Sequence, residues 1–353
     1  LPIYLLPLLG VGFVIVTTKR GLHTVTRFAN AALVILVALS LVPLLGFWFH
    51  VNPGRQASGG LTVEVPLDKT QRLPDIYYII LDAYGSAETF RNIYGYDNTE
   101  FMEFLTEKGF HVWPNSRSNY AYTTVSLASS LNMQYLHDVL DENASPRSFE
   151  FDKPNRMVHN SRVVRELKSN GYKYIHFPSG AFLTNYNEHA DVLVSSGSWN
   201  EFQMMLIKYT VVGPLFPVNQ RGKVNFTFSR LAEARGMIDG PLFVFAHIMC
   251  PHPPYVFGPD GEEVDSDRGD DLRDWDSKDA YIDQVRYVNK RIRMLVSEIL
   301  DEYENPPVIV LQGDHGPSST SYDHPDSLHY QEVMTILNAY YLPGVDEELV
   351  YPS

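Results

Sequence analysis

The sequence predicts an α/β domain with a mainly parallel sheet flanked by helices, preceded by transmembrane helices. Three observations predict it. From Asp75 onward, short continuously apolar runs alternate with amphipathic stretches, the pattern of parallel strands covered on both faces. Two of the amphipathic stretches end in Gly, as helices commonly do. Ahead of them lie two long apolar segments, the second free of charge over a length that spans a hydrocarbon core.

The apolar segments come first. Leu1 to Val16 is almost wholly apolar and Phe28 to Val51 contains no Asp, Glu, Lys or Arg, so segments 1–16 and 28–51 are expected to cross a membrane. The first has no small-residue cleavage site and starts without Met, which reads as a helix cut at its start rather than a signal peptide. The intervening TTKRGLHTVTR carries Lys19, Arg20 and Arg27 without an acid, whereas Arg55 alone follows close behind Val51. Basic loops stay in the cytoplasm, so everything beyond 51 is expected on the extracytoplasmic side of a bacterial-type inner membrane. Residues 52–74, rich in Gly, Pro and polar side chains, read as a linker.

Residues 75–353 then form the main domain, and because ELVYPS marks no boundary the domain is expected to continue past Ser353. Its candidate strands are DIYYIILD (75–82), YKYIHF (172–177), DVLVS (191–195), PLFVFAHI (241–248) and PVIVLQ (307–312). Its candidate helices are TEFMEFLTEKG, SRVVRELKSNG and YIDQVRYVNKRIRMLVSEIL. In the last, Ile282, Val285, Val288, Ile292, Leu295 and Ile299 recur at helical spacing, so one face packs on a sheet.

Charge narrows the partners. The net charge is −14, and beyond residue 73 there are 22 bases against 40 acids. Such a domain does not bind nucleic acid or an anionic surface non-specifically. The single cysteine, Cys250, excludes a disulfide framework and a cysteine-based zinc site. The acidic run 259–279 lacks the spacing of a calcium-binding helix-loop-helix and reads as a solvated loop, while NIYGYD and SRSNYAY read as packing segments.

In an open parallel sheet, ligands bind beyond the carboxyl ends of the strands. Three candidate strands end in polar residues there: Asp82, His247, and the pair Asp314 and His315 in VIVLQGDHGP. Singly, Asp82 could cap a helix, His247 could be a satisfied core histidine, and Asp-His-Gly could merely end a strand. Together they suggest a site. Gly316 is expected to let the backbone turn away, and Pro317 to stiffen the exit. NYAYTTVSLASSLN (119–132) places Thr123 and Thr124 before a helix-forming run, where either serves as an N-cap or offers a hydroxyl to the positive end of the helix. HIMCPHPPY (247–255) holds His247 and His252 around a proline-stiffened turn, suited to proton transfer or to binding phosphate oxygens.

The order strand-Asp, Thr opening a helix, His-x4-His with Pro and Tyr, then Asp-His-Gly resembles the sulfatase-like branch of the alkaline phosphatase superfamily. Within it, the chain is similar to membrane-anchored lipoteichoic acid synthases and lipid A phosphoethanolamine transferases, over about residues 74 to 345. That resemblance implies one divalent metal ion, Mn, Zn, Ca or Mg, held by Asp82, Thr123, Asp314 and His315. It further implies Thr123 as nucleophile, with Thr124 the alternative, and His252 and His247 as catalytic histidines. Thr124, Tyr255 and the competing His324 and His329 are the expected substrate contacts. The expected reaction is phosphoryl transfer on extracytoplasmic lipid-linked or glycan esters, with ester hydrolysis or a non-catalytic binding module as alternatives. Cys250 stands in CPHPP with no Arg, so the formylglycine route of true sulfatases is not expected. Asp82 stands where the transferases commonly have Glu.

Overall fold

The structure, a computed structural model, describes residues 73–137, 152–197, 219–264, 275, 277–319 and 327–345, with helical residues 23–28, 30–31 and 34–35. Segment 1–16 and linker residues 52–72 lie outside the described residues. Within 28–51, the described residues are helical and leave Phe28, Val34 and Ile35 exposed. Among the described residues no helix is long and apolar enough to cross a membrane. The chain divides into two compact units, Leu1–Glu64 with Thr210–Pro214, and Val65–Tyr209 with Leu215–Ser353.

The second unit is built on one sheet. Its strands are β1 (Ile76–Leu81), β2 (His111–Val112), β3 (Lys173–Phe177), β4 (Val192–Leu193), β5 (Leu242–Ile248), β6 (Val308–Gly313) and β7 (Asn338–Tyr341), in the order β2-β7-β6-β1-β5-β3-β4. The five strands from β6 to β4 are parallel, as expected. β7 and β2 were not expected, and both pair antiparallel, extending one edge. They are only four and two residues long, and so carry little of the alternation by which a strand is recognised in sequence.

The helices are α1 (Ala87–Tyr94), α2 (Thr99–Glu107), α3 (Thr123–Asn132), α4 (Asp152–His159), α5 (Arg162–Ser169), α6 (Gln220–Ala232), α7 (Lys278–Glu302) and α8 (Ser327–Met334). α1 and α5 are capped by Ser86 and Ser161, whose hydroxyls accept from the backbone amides of Thr89 and Val164. Alternation along the strands sends side chains to two cores. One joins Tyr77, Ile79, Leu81, Val244, Ala246, Ile309 and Leu311 to α7, whose six predicted apolar positions are all buried. The other joins Ile80, Phe243, Phe245 and Tyr174 to Leu127, Ala128 and Leu131 of α3 and to Val158 and Val164. Each fully buried large aliphatic side chain contributes about 1.5–3 kcal/mol to holding these layers. The α3 face is the one that matters for chemistry.

Candidate active site

Strand register brings the polar ends together. Leu81 of β1 pairs with Gly313 of β6 on one side and with Ile248 of β5 on the other, while Ile80 pairs with His247. Asp82 and Asp314, one residue past a paired position, therefore stand side by side. Because side chains alternate, Asp82 shares the face of Ile80, and so of His247 and α3. Backbone bonds fix these ends: Asp82 N donates to Ile248 O at 2.9 Å, and Ala83 N donates to Asp314 Oδ1 at 3.0 Å. Ala83 sits in the left-handed region, φ 60°, and its carbonyl accepts from the buried Tyr281 hydroxyl at 2.7 Å. This strained residue turns the chain out of β1 directly after the carboxylate.

Ligand atoms of Asp82, Asp314 and His315 all lie within 4.8 Å of one another, and all three residues are buried. His315 Nε2 is 3.7 Å from Asp82 Oδ1 and 3.6 Å from Asp314 Oδ2. His315 Nδ1 donates to Gly316 O at 2.7 Å, which turns Nε2 toward the carboxylates. Two buried oxygens, Asp82 Oδ1 and Asp314 Oδ2, have no hydrogen-bond partner. Unpartnered buried carboxylate oxygens facing an imidazole nitrogen are strongly disfavoured unless a cation completes them. This donor set, two carboxylates and one imidazole, fits a divalent metal ion.

Thr123 reaches the same cluster. Its Oγ1 lies 3.2 Å from His315 Nε2. It is the first residue of α3; the N-cap position belongs to Tyr122, which makes no side-chain cap, so neither threonine serves as the cap. Thr123 thus presents a hydroxyl at the positive end of the helix. Ser126, one turn on, donates from its hydroxyl to Asp314 O at 2.6 Å and ties helix to strand end.

Charge within the cluster is tightly coupled. Burial alone would raise the Asp82 carboxyl, but His252, the hydrogen bond and charge of His247, and His315 hold it well below the usual carboxylate range. Burial would lower His315, but Asp314 and Asp82 raise it above the ordinary histidine value. The field that retains a proton on His315 would equally attract a cation.

The two motif histidines sit differently. His247 is buried, with Nε2 3.0 Å from Asp82 Oδ2 and Nδ1 2.7 Å from Thr184 Oγ1. Both its ring nitrogens are engaged, so it braces Asp82 from behind. His252 is half-buried; Nδ1 donates to Pro253 O at 2.6 Å, leaving Nε2 for other partners, and its ring centroid is 6.4 Å from that of His315. Its backbone amide donates to Asp82 O at 3.1 Å. Trp275, inside the acidic run, stands edge-on to it with centroids 5.0 Å apart.

The remaining candidates are more dispersed. Thr124 is half-buried and makes no hydrogen bond to the cluster among the described residues. Tyr255 is 3% exposed and packs within the α7-side core. His329 is buried on α8 beside Tyr330 and is not among the grouped ligands, and His324 lies outside the described residues. Gly316 has no positive φ; its reason is steric, since a Cβ there would stand 2.0 Å from Glu332 O. The chain does bend at Asp314 and His315, and the glycine is needed for the close approach of α8.

Sequence reasoning missed Gln284 and Thr184. Gln284, fully buried on α7, donates from Nε2 to Pro251 O at 3.1 Å and His252 O at 3.3 Å, and accepts from Val256 N at 2.9 Å. It clamps the loop that carries His252. No local sequence signal marks either residue.

Comparison with known proteins places this geometry. The family profile described as Sulfatase matches residues 74–337. No curated protein sequence matches the chain. Among solved structures, the C-terminal periplasmic domain of EcEptC from Escherichia coli, in complex with zinc, aligns at 14% identity and TM-score 0.51 over 78% of this chain and 74% of that one. The soluble domain of lipooligosaccharide phosphoethanolamine transferase A from Neisseria meningitidis aligns at 13% identity and TM-score 0.50, over 79% of each chain. The lipoteichoic acid synthase LtaP from Listeria monocytogenes aligns at 15% identity and TM-score 0.49, over 79% of this chain and 67% of that one. At these identities the first two likenesses are of fold alone.

Proposed function

The chain belongs to the sulfatase family and is a metal-dependent hydrolase or transferase, and from that premise we propose that it transfers a phosphoryl group between extracytoplasmic lipid-linked or glycan esters through Thr123. The observation that carries this reading is the Thr123 hydroxyl at a helix start, 3.2 Å from the nitrogen of a buried Asp82-Asp314-His315 cluster with two orphaned oxygens. The phosphoethanolamine transferase name among the fold relatives supports a lipid-linked phosphodiester as donor, and the zinc complex supports a divalent ion. The apolar segments 1–16 and 28–51 support a membrane anchor, with the catalytic domain outside the cytoplasm.

Asp82, Asp314 and His315, with Thr123, would hold the ion. Lewis acidity supplied there by a bound divalent ion favours the ionised threonine hydroxyl and offsets charge on a phosphoryl oxygen. Thr123, its proton lost to solvent, attacks phosphorus in line; the Oγ1–P bond forms as the bond from phosphorus to the leaving oxygen breaks. His252, entering the step as the imidazolium, gives the departing alkoxide its Nε2 proton while Nδ1–H stays on Pro253 O. His247 does not compete for this role, because its Nε2 faces Asp82 and its Nδ1 faces Thr184. An acceptor hydroxyl or water then attacks phosphorus, His252 takes the proton back, and the Oγ1–P bond breaks.

Thr123→Ala tests the assignment. Turnover of a lipid-linked phosphodiester is expected to vanish while metal stays bound through the three remaining ligands. Retained turnover would remove Thr123 as nucleophile. Product analysis with and without an acceptor lipid separates the outcomes: phosphoryl-bearing acceptor marks a transferase, and free phosphate monoester from water alone marks a hydrolase.

A further inference from the structure

The Asp82 carboxylate is braced by a hydrogen-bond chain that begins far from the strand ends. An ionised carboxylate only accepts, so His247 Nε2, 3.0 Å from Asp82 Oδ2, carries a proton. In the neutral ring Nδ1 then accepts, and the Thr184 hydroxyl stands 2.7 Å away. Thr184 Oγ1 also lies 2.7 Å from Ser179 Oγ, which accepts from Ala181 N at 2.9 Å; with the Thr184 proton committed to His247, Ser179 gives its own to Thr184 in preference to the more distant Ala181 O at 3.5 Å. The Thr184 carbonyl is occupied as well, by His176 Nε2 at 2.9 Å, and the Tyr174 hydroxyl meets His176 Nδ1 at 2.7 Å. Ser179, Thr184, His176 and His247 are 6%, 1%, 2% and 1% exposed, so water does not substitute for these partners. The donors run in one direction, from a backbone amide through two hydroxyls and an imidazole to Asp82 Oδ2, and Asp82 Oδ1 at the far side is the atom left without a partner.

We propose that Thr184 is a positioning residue for the metal centre, acting through His247. Its hydroxyl fixes the ring as the Nε2–H tautomer, which holds Asp82 Oδ2 and presents Oδ1 alone to the cation. The short helical turn Phe182–Thr184 after β3 thereby sets the coordination mode of a ligand on β1. Outer partners of this kind change metal affinity by about 10–100-fold when lost. The inference rests on the reading of Asp82 as a ligand.

The test is Zn2+ affinity of the metal-free full chain, read by competition with a chelating dye, together with the metal-free melting temperature. Thr184→Val keeps the shape and removes the hydroxyl; it is expected to bind Zn2+ about 10–100-fold more weakly. Thr184→Ser restores the donor and is expected to bind as wild type does. Wild-type affinity in Thr184→Val overturns the proposal, as does equal weakening in Thr184→Ser and Thr184→Val with matching losses of melting temperature. If Thr184→Val fails to fold, Ser179→Ala decides: weakened Zn2+ binding sustains the chain and unchanged binding overturns it. Asp314→Asn is the control. Weakened binding there with normal binding in Thr184→Val defeats only the positioning role, whereas normal binding in Asp314→Asn defeats the site itself.

Discussion

Replacing Gln284 by Leu separates the support of the His252 loop from its chemistry. The side chain is fully buried and makes three hydrogen bonds to that loop, to the carbonyls of Pro251 and His252 and from the amide of Val256. Leu fills similar volume but strands the Val256 amide and two carbonyls. Three stranded buried groups at about 1–3 kcal/mol each are offset in part by about 1.5–3 kcal/mol of added apolar burial, so the net loss is on the order of 4 kcal/mol. The loop is also freed to shift. A displacement of about 1 Å at a positioned group lowers the rate on the order of 100-fold. The assay is paired: denaturant unfolding for stability, and kcat for phosphodiester turnover in Gln284→Leu, His252→Ala and the double variant. Because Gln284 acts through His252, the two rate losses should not add. Unchanged stability, or fully additive rate losses, would refute the clamp.

Gly316→Ala forces a Cβ to within 2.0 Å of Glu332 O; unfolding experiments should show a loss of about 1–3 kcal/mol or more. Asp314→Asn removes one of the two buried carboxylates, and elemental analysis should find metal largely absent from the purified protein, with turnover lost in parallel. Burial pushes His176 down to about 4 from 6.5, so between those values the unfolded chain binds a proton that the native chain refuses. Stability should therefore fall as pH falls through that window, by about 3 kcal/mol from this group, and His176→Gln should show a shallower dependence by that amount. An equal dependence in the two proteins contradicts it.

Much of the site was legible because parallel strands are apolar until they end. Asp82, His247, Asp314 and His315 each interrupt such a run, and the rule that ligands gather at carboxyl ends joined them. Strand register was not legible. That Leu81 faces both Gly313 and Ile248 is what sets Asp82 beside Asp314 and within reach of His247, and it depends on pairings between segments more than 160 residues apart. His247 illustrates the consequence. In sequence it looks equivalent to His252, yet it lies on the strand and braces a carboxylate, while His252 lies past it on the loop. Gln284 was hidden by the periodicity that revealed α7: it lies off the stripe of Ile282, Val285 and Val288 but is buried because the helix is covered by the His252 loop as well as by the sheet. The steric need for Gly316 likewise depends on α8, which nothing in VIVLQGDHGP announces.

The most direct test of the account is mass spectrometry of the full chain quenched during turnover of a lipid-linked phosphodiester. The account predicts a phosphoryl-group adduct on the peptide containing Thr123, absent from Thr123→Ala and from protein stripped of metal. An unmodified Thr123 peptide under conditions of active turnover, or an adduct on another residue, would contradict it.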